Sequence, residues 1–244
     1  MSTLKADILV TPQDILASVV TQGTDLGARA TSGDSRYFRY MKIGAAATVA
    51  GQVYQGPAQD STNLNPSGGL GLSANAAIGA TSVTISTAIT VAADVLAGGF
   101  MTVAVTPGQG YTYKITGNTA VTGAAGMVVT LEDPLQIALT SAASKVCLYK
   151  NPYLGIVVAP TTMTNVIVGV PTNIYTALYY AWIQVGGPCS CLQTGTGTCG
   201  TALGFLQGGT QGSLAPAIAG TSILAWALGT CVTGEYDLVN LVIS

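Results

Sequence analysis

Hydrophobic and polar positions alternate strictly from Val83 through Ile85, Thr87, Ile89 and Val91, with Thr84, Ser86, Ala88 and Thr90 on the other face. This two-residue period is that of a half-buried β-strand. The same period sets Tyr111, Tyr113 and Ile115 against Thr112, Lys114 and Thr116, and Met127, Val129 and Leu131 against Val128, Thr130 and Glu132; Val146 and Leu148 follow a Ser/Ala-rich turn. Further strands are predicted at Leu154 to Ala159, Val166 to Val170, Tyr179 to Val185, Ile223 to Leu228 and Tyr236 to Ile243. Turn-forming clusters separate them, among them Asn65-Pro66-Ser67-Gly68-Gly69, Pro107-Gly108, Gly186-Gly187-Pro188 and Gly208-Gly209.

Helical signals gather only near the start. Thr11 as N-cap, Pro12 at the first helical position, Asp14 in the first turn, the apolar stripe Ile15, Leu16, Val19 and Val20, and Gly23 as a stop predict a helix of about three turns. Strands without intervening helices argue for an all-β chain of sandwich or barrel domains with one short N-terminal helix, and against a parallel sheet. Shifts in composition at Asn65 to Gly69 and at Asn151-Pro152 predict three parts. These are an N-terminal arm (1–35), a β-barrel-like domain from 36–66 plus 151–244, and a small β-sandwich inserted at 70–150.

Composition narrows the chemistry. Only 7% of the 244 residues are charged, against about 25% in ordinary soluble domains, and 49% are apolar. With 8 basic and 10 acidic residues the chain has no basic field for a phosphate backbone, so no nucleic-acid partner is expected. Because there is no histidine, Ser-His-Asp, Cys-His and HExxH chemistries are excluded. No apolar run is long enough for a transmembrane helix, and the broken stretch after Lys5 and Asp7 does not read as a signal peptide, so no membrane partner is expected. From Asn151 to Gly234 no charged residue occurs, and Gly, Thr, Ala and Val dominate. Such a surface, at a net charge of -2, does little to keep copies apart, which points to self-association or to docking into a large assembly.

Five constellations invite a chemical reading. Gly69, Gly71 and Ala74, and again Gly195, Gly197 and Gly200, match GxGxxG/A, but neither segment leads into a helix whose N–H groups could hold a pyrophosphate. Cys189, Cys191 and Cys199 lack the paired CxxC spacing of zinc ligands, so small apolar fillers are the expectation for them and for Cys147 and Cys231, with a disulfide as the alternative. Glu132-Asp133 and Glu235 with Asp237 read as solvated turns rather than an acid–base pair. No catalytic residue, cofactor or metal is therefore assigned. Arg36, Phe38, Arg39, Tyr40 and Lys42, in the run Arg36 to Lys42, mix rings with cations as a partner interface does; the alternative is an edge strand protected by its cations. Tyr179, Tyr180 and Trp182 are read as core, with a sugar platform as the alternative.

Several segments carry a resemblance. They are Asp34 to Tyr40, Ala50 to Gln55, Gly110 to Ile115, Leu131 to Leu135, Asn151 to Val158, Tyr180 to Gln184, Gly200 to Leu203, Gly212 to Leu214 and Ala227-Leu228 before a terminal strand. In this order they resemble the head decoration, or capsid cement, proteins of tailed bacteriophages, over residues 34 to 244. The resemblance implies a β-rich, non-enzymatic structural protein of the virion, made in the host bacterial cytoplasm. It implies a homotrimer that binds the major capsid protein on the outer capsid surface and stabilises the capsomer lattice. Gly187 to Leu192 departs from that group in carrying cysteines. A tail-tube or fibre-associated virion protein and a carbohydrate-binding adhesin remain as alternatives.

Overall fold

The computed structural model describes residues 7–123, 125–205 and 208–243. It is all-β: strand occupies 41% of the chain and helix 2%. Contacts divide it into a discontinuous unit, Met1–Pro57 with Pro152–Ser244, and an inserted unit, Ala58–Asn151. Residues 8–35 contribute strands and a helix to the discontinuous unit rather than forming a separate arm, and the insertion begins at Ala58 rather than near residue 70. Lys5, cited above in reading the N-terminus, lies outside the described residues.

The discontinuous unit starts with β1 (Ile8–Leu9), α1 (Pro12–Leu16), β2 (Ser18–Val19), β3 (Arg29–Thr31), β4 (Tyr37–Ile43) and β5 (Tyr54–Gln55). The inserted unit holds β6 (Leu70–Gly71), β7 (Ser82–Thr87), β8 (Phe100–Val105), β9 (Thr112–Asn118), β10 (Ala125–Leu131) and β11 (Lys145–Tyr149). The first unit resumes with β12 (Leu154–Val158), β13 (Ile167–Gly169), β14 (Tyr180–Leu192), β15 (Ala202–Gly204), β16 (Ala215–Pro216), β17 (Ile223–Ala227) and β18 (Tyr236–Val242).

The helix begins as expected and ends early. Thr11 and Asp14 close a capping box, with the Asp14 carboxylate accepting from the Thr11 amide at 2.8 Å, and Pro12 opens the first turn. After Leu16 the chain turns extended, and Ser18–Val19 pairs with Tyr180 and Ala181 of β14. Only Ile15 of the supposed stripe is buried; Leu16, Val19 and Val20 are exposed. β-branched Val19 and Val20 give little to a helix, and an available sheet edge outcompetes it.

In the discontinuous unit the sheet path runs β13-β5-β12-β4-β14-β18-β17-β15-β16, with β1, β2 and β3 attached beside it. The sheet is mixed, mostly antiparallel but with β12 running parallel to β4 and β1 parallel to β3. A parallel neighbour needs a long crossover, and between β4 and β12 the chain passes through the whole inserted unit. Met41, Ile43, Tyr54, Ile156, Ile183, Leu203, Val239 and Leu241 meet in the main core of this unit. On the opposite face of β4 and β14, Phe38, Tyr40 and Trp182 form a smaller core under Val10 and Ile15.

β14 runs straight through Gly186-Gly187-Pro188, which the turn chemistry marks as a break. A bulge at Gln184/Gly186 ends the pairing with β4, while pairing with β18 continues from Gly186 to Leu192. Gly187 has φ +81°, and a Cβ there would stand 2.2 Å from the Ser35 carbonyl oxygen, so only glycine fits. Beyond the bulge one edge of β14 has lost its strand partner. The Gln184 side chain substitutes, its Nε2 donating to the carbonyls of Gly186 (3.0 Å) and Pro188 (2.8 Å). A proline is tolerated there because that edge asks no N–H of it.

The inserted unit is an antiparallel, nearly closed barrel of strand order β6-β11-β8-β9-β10-β7, with a single bridge, Leu72 to Ile85, linking its ends. Val83, Ile85, Met127, Val129, Leu131, Val146 and Leu148 point into its core as the alternation predicts, joined by Leu64 and Leu96. The outer positions of β7 and β10 are Ser82, Thr84, Ser86, Gly126, Val128 and Thr130.

One local device recurs three times. Two strands each leave the sheet, exchange a reciprocal pair of backbone hydrogen bonds at one residue apiece, and enter the next strands. The pairs are Ala76 with Leu139 and Val91 with Val121 in the inserted unit, and Gly197 with Cys231 in the other. The first and third match closely. Gly79 and Gly200, both left-handed, donate to Leu135 and Ala227 at 2.8 Å, and those two residues donate back to Ala80 and Thr201 at 2.9 Å. Both pyrophosphate-like glycine patterns thus border or lie in such arches. The only helix among the described residues is α1, which is far too short to cross a membrane.

Candidate functional site

Of the run from Arg36 to Lys42, Arg36 stands just before β4 and the rest lies in it; β4 is paired with β3, β12 and β14 and is therefore no edge strand. Phe38 is fully buried and Tyr40 is 4% exposed, so neither belongs to a contact surface; alternation sends both into the small core beneath α1. The cations stay partly exposed, each over a ring: Arg36 over Phe38 (5.6 Å), Arg39 over Tyr153 (5.5 Å) and Lys42 over Tyr180 (5.3 Å). Arg36 also pairs with Asp34 at 2.8 Å, and its hydrogen bond, helped by one from Ser32, holds the Asp34 carboxyl far below the usual carboxylate range. Arg39 donates to the Gly27 carbonyl at 2.9 Å. Arg36, Arg39 and Lys42 are thus engaged within the chain rather than gathered into a charged field.

Of the three aromatics read as core, with a sugar platform as the alternative, Trp182 is buried while Tyr179 and Tyr180 are only half-buried. Tyr40 packs at 5.0 Å from Trp182 and stacks at 6.0 Å on Tyr180, and its hydroxyl accepts from the Gly23 amide at 3.0 Å. A cleft of about 410 Å³ borders these rings, Asp14 and Val19, but Tyr40 and Trp182 are buried and offer it little ring face.

Cys189, Cys191 and Cys231 lie in the main core, whereas Cys199 sits exposed on an arch turn. A hydrogen bond with Cys189, together with burial, pushes the Cys191 thiol well up, keeping it protonated. Among the described residues no three Cys, Asp or Glu side chains come together as metal ligands. Glu132 pairs with Lys114 at 2.7 Å, and Asp237 accepts from the Val232 amide at 2.9 Å, so one carboxylate of each acidic pair has a structural partner.

The prominent surface feature is apolar and was missed by sequence reasoning. On the outer face of β14, β18 and β17, Trp226 stands opposite Asn240, which stands opposite Pro188. Leu228, Leu238 and Ser190 form the next row, and Val242 faces Gly186. Trp226, Leu228, Tyr236, Leu238 and Val242 are 41–54% exposed. A second patch joins α1 and β2 to the loop at 173–178: the Asn173 side chain donates to the Leu16 carbonyl at 2.9 Å, and the Thr176 amide to the Ser18 hydroxyl. Leu16, Val19, Val20, Ile174 and Leu178 are 45–69% exposed there. The signal for the first patch was present in β18, where Tyr236, Leu238 and Val242 occupy one parity and Val239 and Leu241 the other. A strand apolar on both parities is covered on both faces or waits to be.

Compared with known protein families, with characterised proteins and with solved structures, the chain matches none.

Proposed function

We propose that this chain is a structural protein of a tailed-phage head, a non-enzymatic homo-oligomer that docks on the outer capsid surface and holds the capsomer lattice together. The observation that carries the reading is the exposed apolar patch of Leu16, Val19, Val20, Ile174 and Leu178 on a chain with so few charges. Apolar groups at this exposure gain by being covered, at roughly 25 cal/mol per Å². Such a contact needs no catalytic group, and it is not screened by ions. The segments from Asp34 to Leu228 that resemble decoration proteins supply the choice of partner.

The test is co-sedimentation with capsid particles that lack the protein. Binding should survive about 1 M salt, where the Debye length is about 3 Å, and be lost in guanidinium. Leu16→Lys with Ile174→Lys should weaken it at every salt concentration. Release at moderate salt, or unchanged binding by the double variant, would overturn this reading.

A further inference from the structure

One face of the sheet is half covered. Over β4 and the first half of β14 the chain lays its own N-terminal segment, burying Phe38, Tyr40 and Trp182 beneath Val10 and Ile15. Over the second half of β14, β18 and β17 the same face continues, uncovered by any of the described residues, and it is still apolar. The inserted unit builds a closely matching pair of arches, yet there the outer positions of β7 and β10 are mostly hydroxyls and glycine. The arch device therefore does not itself require a greasy outer face; the residues chosen in the discontinuous unit do.

We infer that a second copy of this chain packs its own β14–β18–β17 face onto this one. The size fits. Trp226, Leu228, Tyr236, Leu238 and Val242, each about half exposed, offer together about 400–500 Å² of apolar surface, judging from the areas such side chains bury. A standard interface takes about 800 Å² from each partner, about 65% of it apolar between identical chains. The charge fits as well: none of the outward residues on these three strands is ionised, so a copy meeting its own kind brings no like charges together. Arg36, at the rim, is already paired with Asp34.

The relief also suits a self-contact. Bulky side chains crowd the β17–β18 side, while Gly186, Pro188 and Ser190 leave β14 low. Beside β14, a groove of about 420 Å³ runs between Pro188, Ser190 and the Ala50-Gly51 loop, with Tyr236 and Leu238 on its wall. The groove is roomy enough for the Trp226 indole of a neighbour. Knob and groove on one surface are what two copies need to interlock. All these strands lie inside the sheet path rather than at its ends, so the contact is face to face and not strand addition.

The purified full-length chain tests this by sedimentation equilibrium from about 1 to 100 µM, without particles. The wild type should sediment at the mass of two chains, because a face packed on its own copy closes at a dimer. Ser190→Arg adds bulk and charge to the face while removing no core contact, and should shift the protein to the mass of one chain; Leu238→Lys should do the same. Leu16→Lys, on the other patch, should leave the mass unchanged. Circular dichroism and melting temperature check that each variant is folded, and Ser190→Arg keeps the test decisive if Leu238→Lys is not. A wild type that stays at single-chain mass at 100 µM, or a folded Ser190→Arg that still sediments as the wild type does, would overturn the inference. Because the assay contains no capsid, failure here leaves the docking proposal standing, and failure to bind particles leaves this one standing.

Discussion

Tyr175 is the largest fully buried side chain among the described residues, and its hydroxyl ties the N-terminal segment to the sheet. It donates to the carbonyl of Ile15 in the last turn of α1, lies 3.3 Å from the Trp182 carbonyl, and shares a hydrogen bond of 3.0 Å with the Thr172 hydroxyl. Tyr175→Phe keeps the ring and so leaves no cavity, but it strands the Ile15 carbonyl at a residue only 2% exposed. A buried acceptor left without its donor costs about 1–3 kcal/mol. For a domain of 150–250 residues each kcal/mol moves Tm by roughly 2–4 °C, so a fall of about 4–8 °C is expected for a central value of about 2 kcal/mol. Urea unfolding should show a lower midpoint with an unchanged slope, because the exposed area hardly changes.

The same residue makes a prediction about alkaline pH. Burial pushes the Tyr175 phenol up, so the folded chain keeps a proton that the unfolded chain releases near pH 10. The unfolded state then binds fewer protons, and stability falls as pH rises from about 10 through the higher folded value. Tyr175→Phe has no such loss, so the gap between variant and wild type should narrow above about pH 10. A variant within about 0.5 kcal/mol of wild type at neutral pH, or a gap that widens in alkali, would refute this account of the residue.

Two further outcomes are expected. Under native conditions iodoacetamide should label Cys199 alone, because Cys147, Cys189, Cys191 and Cys231 are buried and burial raises the thiols of Cys147 and Cys231; mass spectrometry showing two or more adducts on folded protein would contradict this. Residues 58–151 expressed alone should fold, whereas 70–151 should be less stable by about 2–5 kcal/mol, the usual cost of deleting a buried leucine. The longer piece keeps Leu64 in the core, its carbonyl accepting from Leu148 at 2.8 Å, and keeps the Gln59 side chain bonded to both backbone groups of Lys150. Equal denaturation midpoints for the two pieces would show that residues 58–69 contribute nothing.

Alternation along β7, β9, β10 and β11 was enough to assign these strands and their buried faces, since successive side chains point to opposite sides whatever surrounds them. The start of α1 was equally legible, because a cap and a proline act within one turn. How far α1 extends was not. Leu16, Val19 and Val20 fit a helical stripe, and only the presence of β14 beside them turns Ser18–Val19 into a strand. Gly186-Gly187-Pro188 has turn chemistry, yet it lies inside β14 because Ser35 crowds Gly187 and Gln184 serves the carbonyls that β4 no longer reaches.

The same division governs the functional surfaces. Local pattern settles which residues share a side of a strand; what covers that side depends on chain distant in sequence. Phe38 and Tyr40 looked suited to contact and are sealed by residues 10 and 15, while Leu238 and Trp226, placed by the sequence only within predicted strands, remain at the surface because no described segment of their own unit comes back over β17 and β18. The scarcity of charge was written in the composition and pointed to association from the start. Which apolar side chains stay exposed was decided only when the N-terminal segment folded over one half of the sheet face and left the other half to the solvent.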